Sequence, residues 1–189
     1  MNSELEQRAE EFQSARHELA ELVAGLDDET FNRRPDRKGW SIAECIDHLL
    51  TVGWKMVPRL DAAIIEARNR GLLSDGPFEY GALGNWFVRA NSADSLPPRR
   101  TFKTPRLYRP EPKREWTVPQ AVQEFANLQE KFISILHNAD GVDLARARAA
   151  SPVTRLLRLS LGQWLKLLAG HQKRHLWQAR QVKKRLAAA

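Results

Sequence analysis

The chain has 189 residues, and its 30 Lys and Arg against 23 Asp and Glu give a formal charge of +7. That length fits a single domain, residues 1–189, and a hydrophobic share of 42% is enough for a real core, which excludes wholesale disorder. One cysteine, Cys45, excludes an intramolecular disulfide and a cysteine-cluster metal site, and no run of 18 apolar residues is present to cross a membrane.

The chain opens on a polar Met-Asn-Ser-Glu with no apolar run behind it, so the expected compartment is the cytoplasm. A first helix is predicted from about Ser3 to Ala24. Leu5, Phe12, Leu19 and Leu26 recur a heptad apart with Ala9, Ala15 and Leu22 between them, one apolar face on a charged helix. A second helix opens at Ser41, where Ser41 to Glu44 has the form of a capping box. It runs through Ile42, Cys45, Leu49, Val52, Met56, Leu60 and Ile64 towards Arg70, with Pro58 expected to kink it or to remove one internal hydrogen bond.

Between Gly71 and Trp116 the periodicity fails. Pro77, Pro97, Pro98, Pro105, Pro110 and Pro112 interrupt it, yet Phe78, Tyr80, Trp86, Phe87, Phe102, Tyr108 and Trp116 argue against a free linker. The segment reads as a crossover packed over one end of a bundle, with a short helix around Leu83 to Ala90. Covering the core and acting as a lid over a substrate are equally open to it.

The third long helix starts after Thr117, with Pro119 in its first turn and Gln120 completing a capping box. Its apolar face is Val118, Val122, Phe125, Leu128, Phe132 and Ile135, and it ends near Asn138 to Gly141. The fourth starts at Ser160, with Gln163 in the box position, and reaches about Leu186. No strand-like alternation competes with these four. The expected fold is therefore all-α, a four-helix bundle with a long crossover between helices 2 and 3.

The apolar stripe of the fourth helix reads Leu161, Trp164, Leu168, His171, His175, Ala179, Val182 and Leu186. An i, i+4 spacing puts both imidazoles on one inward face, where they can share a metal. A buried histidine pair must otherwise be hydrogen-bonded, or charged with a partner, because an unpaired buried polar group costs about 1–3 kcal/mol. A third ligand has to come from another helix. His17 has charged neighbours and His137 lies in a fraying helix end, so both are expected in solvent, whereas His48 borders the buried stripe of the second helix.

Gly39-Trp40-Ser41-Ile42 followed by His48-Leu49-Leu50 resembles the second-helix signature of the DinB-like family of bacterial metal-binding four-helix proteins. Trp164-Leu165 followed by Gly170-His171-Gln172-Lys173-Arg174-His175-Leu176-Trp177-Gln178 is similar to that family's fourth-helix signature. Phe102-Lys103-Thr104-Pro105 and Arg109-Pro110 resemble one branch of it. The resemblance spans nearly the whole chain, and its two-part histidine pattern is more specific than either half.

The resemblance implies that His48, His171 and His175 bind one divalent metal at the open end of the bundle. Three neutral nitrogen ligands leave a coordination position open, as in catalytic rather than structural zinc. Zinc or nickel is expected, and iron or manganese also suits such a donor set. Relatives include thiol-dependent S-transferases, so a thiol transferase or hydrolase acting on a small molecule is expected, with a low-molecular-weight thiol as a candidate cosubstrate. Arg174 resembles the family's basic residue in this segment and is a candidate catalytic group for an anionic ligand, against the plain reading of a solvated helix face. Glu44, Asp47 and Gln178 are candidates to orient imidazole N–H groups, although Glu44 has a capping role and Asp47 is expected in solvent. Cys45 reads as core filling. A homodimer is also implied.

The charge completes the reading. The last acid is Asp143, after which eleven basic residues follow with none opposing them, while residues 1–143 carry 19 basic and 23 acidic groups, a net of −4. A nucleic-acid function is disfavoured because these basic residues lie around an amphipathic helix without interleaved stacking aromatics or a helix-turn-helix pattern. Their concentration around His171 and His175 is expected to favour anionic ligands there. A metal-binding stress or sensor protein without turnover is the alternative to an enzyme.

Overall fold

The computed structural model describes residues 1–92, 97, 103–111 and 114–188. Pro98, Phe102 and Pro112 of the crossover lie outside the described residues. Four long helices dominate: α1 (Ser3–Val23), α3 (Ile42–Asn69), α5 (Val118–Ala139) and α6 (Leu161–Ala187), joined by the short α2 (Asp28–Asn32) and by α4 (Ala82–Asn91) in the crossover. The fold is the expected all-α bundle.

The helix starts lie where the side chains can satisfy the exposed backbone donors of a first turn. Asn2 caps α1, and reciprocal boxes Ser41/Glu44, Thr117/Gln120 and Ser160/Gln163 open α3, α5 and α6. Gly71 and Gly141 take φ of +63° and +75° just beyond α3 and α5, a conformation that needs no Cβ. These two exits are stitched together by a bridge between Leu73 and Val142. Pro58 is accommodated inside α3.

α3 packs against α5 and α6, and α1 packs against the same two, so α1 and α3 stand across one diagonal and α5 and α6 across the other. One continuous core fills the centre, with Phe12 stacked on Phe132 at 4.7 Å between ring centroids and Leu5, Leu19, Ile46, Met56, Leu60 and Leu128 fully enclosed. α4 lies along α6, where Gly170 meets Ser92 at the end of α4 so closely that a Cβ would sit 2.3 Å from the Ser92 Cβ.

Two features depart from the expected pattern. A small antiparallel ribbon joins β1 (Arg148–Ala150) and β2 (Arg158–Ser160), pairing Ala149 with Leu159. The Trp164 indole N–H donates to the Ala149 carbonyl at 2.9 Å, tying the ribbon to α6. Three-residue strands are too short to show alternation, so pattern alone misses them. α2 was also not expected; its Asp27 cap accepts from the Thr30 amide. Among the described residues no helix is long and apolar enough to cross a membrane.

Candidate metal centre

His48 sits two turns into α3, and its depth follows from how that helix begins. Asp36 accepts amide hydrogens from Lys38 and Gly39 at 2.8 and 2.6 Å, shaping the turn that delivers Trp40 and the Ser41 cap. Glu44 accepts from the Ser41 amide and is forked by the Arg34 guanidinium, so it is committed to this helix start and not to an imidazole. Trp40 packs against His48 and His175, with ring centroids 5.1 and 5.9 Å apart.

Across from α3, α6 presents His171 and His175 one turn apart. The His48 and His171 Nε2 atoms are 3.2 Å apart, and the three ring centroids lie 4.5–5.0 Å from one another. One ring nitrogen from each histidine falls within a 4.8 Å cluster, and among the described residues this is the group of three or more potential ligands that gathers so closely. Two nitrogens bound to one tetrahedral ion at about 2.0–2.1 Å are about 3.3 Å apart, so the spacing of His48 and His171 suits a shared ion. His17 and His137 are exposed, as expected. Cys45 is wholly buried and outside the cluster, and burial pushes its thiol pKa well up.

The histidines are held neutral. Burial is the largest influence on His171 and pushes its pKa down to about 3, with the nearby His48 and Arg174 charges acting in the same direction. Burial lowers His175 too, helped by His171, His48 and Arg174 and opposed by a hydrogen bond with Gln178. His48 is lowered by burial, against an opposing hydrogen bond to the Tyr108 carbonyl and the Asp47 charge. A charged pair with a partner is thereby disfavoured. Simple mutual hydrogen bonding is incomplete, since Nδ1 of both His171 and His175 is buried without a partner among the described residues. Neutral, deprotonated, convergent nitrogens are what a divalent ion requires, so the residues fit the metal.

The residue that sequence reasoning missed is Tyr108. It ends a short 3-10 turn, Arg106–Tyr108, in the crossover, and its carbonyl accepts the His48 Nδ1 hydrogen at 2.5 Å. A carbonyl can only accept, so this bond places the proton on Nδ1 and leaves the Nε2 lone pair facing His171. The crossover therefore forms part of the site wall. A backbone acceptor carries no signature in the sequence.

Asp47 corrects an expectation. It is not in solvent but 3% exposed, and it does not reach an imidazole. Its carboxylate accepts from the Glu111 amide at 2.9 Å and the Trp116 indole at 3.1 Å, with the Arg114 guanidinium 3.7 Å away. Of the three orienting candidates, Gln178 alone contacts a histidine.

The basic segment is used differently from what its position suggests. Arg180 pairs with Glu18 at 2.9 Å, Lys183 donates to the Leu22 carbonyl, and Lys166 and Lys173 lie near Glu11, all on α1 or at its end. Arg174 is close enough to affect both histidines, while its guanidinium also reaches the Ala90 carbonyl at 3.4 Å. A surface groove of about 250 Å³ lies on the Asp47–Leu50–Trp54 side of α3 and another of about 370 Å³ between Arg114–Trp116 and the start of α5, and none of the three histidines lines either.

Comparison with known proteins places the chain by sequence and by fold. YuaE, an uncharacterized protein of Bacillus subtilis (strain 168), is 28% identical over 178 residues, covering 94% of this chain and 98% of its own length. In structure the chain is similar to YfiT from Bacillus subtilis, a probable metal-dependent hydrolase with an unusual four-helix bundle topology, at a TM-score of 0.62 and 12% identity over 99% of this chain and 90% of the other. The family model of the DinB superfamily matches residues 11–179. The chain belongs to the DinB superfamily.

Proposed function

We propose that the chain is a metal-dependent enzyme that acts on a small molecule, by hydrolysis or by transfer of a low-molecular-weight thiol. The observation that carries this reading is the convergence of three neutral ring nitrogens, from His48, His171 and His175, on one point between α3 and α6. Zinc or nickel is the expected ion. When bound, such an ion lowers the pKa of a water or thiol and so supplies a nucleophile at neutral pH.

The chain's own residues supply the rest. The Tyr108 carbonyl fixes the His48 tautomer, and Trp40 closes one side of the cluster against water. Arg174 places a positive charge beside the site, which favours an anionic substrate or a thiolate over a thiol. A homodimer in the cytoplasm belongs to the same proposal.

The test is turnover by the metal-loaded protein, screened with low-molecular-weight thiols and electrophiles such as chlorinated nitrobenzenes, and with hydrolysable esters and amides. Activity lost in His48→Ala supports the reading. Activity that survives this substitution unchanged refutes it, and stoichiometric metal without turnover would instead favour a metal-binding stress or sensor protein.

A further inference from the structure

Asp47 and His48 are consecutive, and both reach the crossover although they leave α3 about 100° apart. His48 donates to the Tyr108 carbonyl, while Asp47 accepts from the Glu111 amide and the Trp116 indole. A carboxylate 3% exposed is expensive to bury, and its hydrogen-bond partners among the described residues lie in the crossover. Core packing gives no reason for a charge there.

The link between the two anchor points is short and stiff. Only Arg109 and Pro110 separate Tyr108 from Glu111, and proline fixes its own φ while restricting the residue before it. Where Asp47 pins the Glu111 amide therefore limits where the Tyr108 carbonyl can point. The Tyr108 ring is held separately, by a hydrogen bond with Ser151, and the turn's own bonds from the Tyr108 and Arg109 amides to the Pro105 and Arg106 carbonyls hold the peptide from its N-terminal side, so the Glu111 clamp completes the fixing of the Tyr108 carbonyl from the C-terminal side.

We infer that Asp47 is a positioning residue for the metal centre: by clamping the crossover at Glu111 it keeps the Tyr108 carbonyl on His48 Nδ1 and so aims the His48 Nε2 lone pair at His171 and His175. This rests on the reading of the three histidines as a metal centre. Trp116 shares the clamp but not the link, because its indole bond lies five residues beyond Glu111. Removing the indole donor should cost stability without disturbing His48.

The experiment compares wild type, Asp47→Ala and Trp116→Phe in two measurements. The first is the ¹⁵N spectrum of the His48 ring in metal-free protein, which reports its tautomer. The second is a Co(II) titration followed by visible absorption, with Zn(II) competition. Asp47→Ala is expected to replace the pure Nδ1–H signal with a mixture of tautomers and to weaken Co(II) and Zn(II) binding by about 10–100-fold, the usual effect of losing a group that orients a ligand. Trp116→Phe is expected to melt at a lower temperature yet keep the wild-type tautomer and affinity. Should Asp47→Ala fail to fold, Asp47→Asn serves, since it retains one acceptor and should give a smaller shift of the same sign in both readouts.

A wild-type tautomer and wild-type affinity in the Asp47 variant overturn the assignment and leave the metal centre standing. Equal effects of the Asp47 and Trp116 substitutions on tautomer and affinity overturn it too, by showing general loosening. Failure of the wild type to bind either ion refutes the metal reading itself.

Discussion

Replacing His171 with leucine in the metal-free protein should flatten the loss of stability that acidification causes. The folded pKa of His171 is about 3, against 6.5 for an unperturbed histidine. Between those values the unfolded chain holds a proton that the folded chain refuses, so the depressed pKa penalises folding as pH falls through about 6.5 and has no effect well above it. At about pH 5 the unfolded state gains about 1.5 pK units of protonation, which is about 2 kcal/mol. For a domain of this size that is about 4–8 °C in melting temperature. His175 and His48 act in the same direction, so the wild-type slope should be at least this steep. The assay is urea unfolding of chelator-treated wild type and His171→Leu at about pH 7.5 and about pH 5. The variant should lose about 2 kcal/mol less than wild type on acidification. Identical losses would refute the claim that the folded protein holds His171 neutral.

Other outcomes follow from the packing and the charges. Gly53→Ala places a Cβ 2.5 Å from a methyl of the fully enclosed Leu128. It should destabilise by about 1–2 kcal/mol in a thermal melt, since overpacking of about 1–3 kcal/mol outweighs a helix-propensity gain of about 1 kcal/mol. Gly170→Ala should cost about 1–3 kcal/mol by the same measurement, because the atom it meets is the Ser92 Cβ, which cannot swing aside. Zinc at about a thousand times its dissociation constant should stabilise the wild type by about 4 kcal/mol in a calorimetric scan, and should leave the His175→Ala variant nearly unshifted.

The helices were legible because each carries its own evidence. Ser41 with Glu44, Thr117 with Gln120 and Ser160 with Gln163 mark three helix starts in four residues apiece, and all three boxes are formed. His171 and His175 stood out because they interrupt an apolar stripe at its own period. His48 was found through the family's two-part pattern more than through its surroundings. What escaped notice depends on groups far apart in sequence. The Tyr108 carbonyl looks like any other carbonyl until the crossover is seen on α3, and Asp47 looks like a surface acid until Glu111 and Trp116 are placed upon it. The basic segment divides for the same reason: Arg174 stands beside the histidines, while Arg180 and Lys183 spend their charge on α1, about 160 residues away in the chain and adjacent in the bundle.

The central claim is that His48, His171 and His175 together hold one metal ion, and elemental analysis of the purified protein and its alanine variants tests it most directly. About one divalent ion per chain is expected in the wild type and in His17→Ala and His137→Ala, whose side chains are exposed and outside the cluster. The ion should be lost in His171→Ala and His175→Ala and strongly depleted in His48→Ala. Equal metal content in the wild type and all three cluster variants would contradict the account.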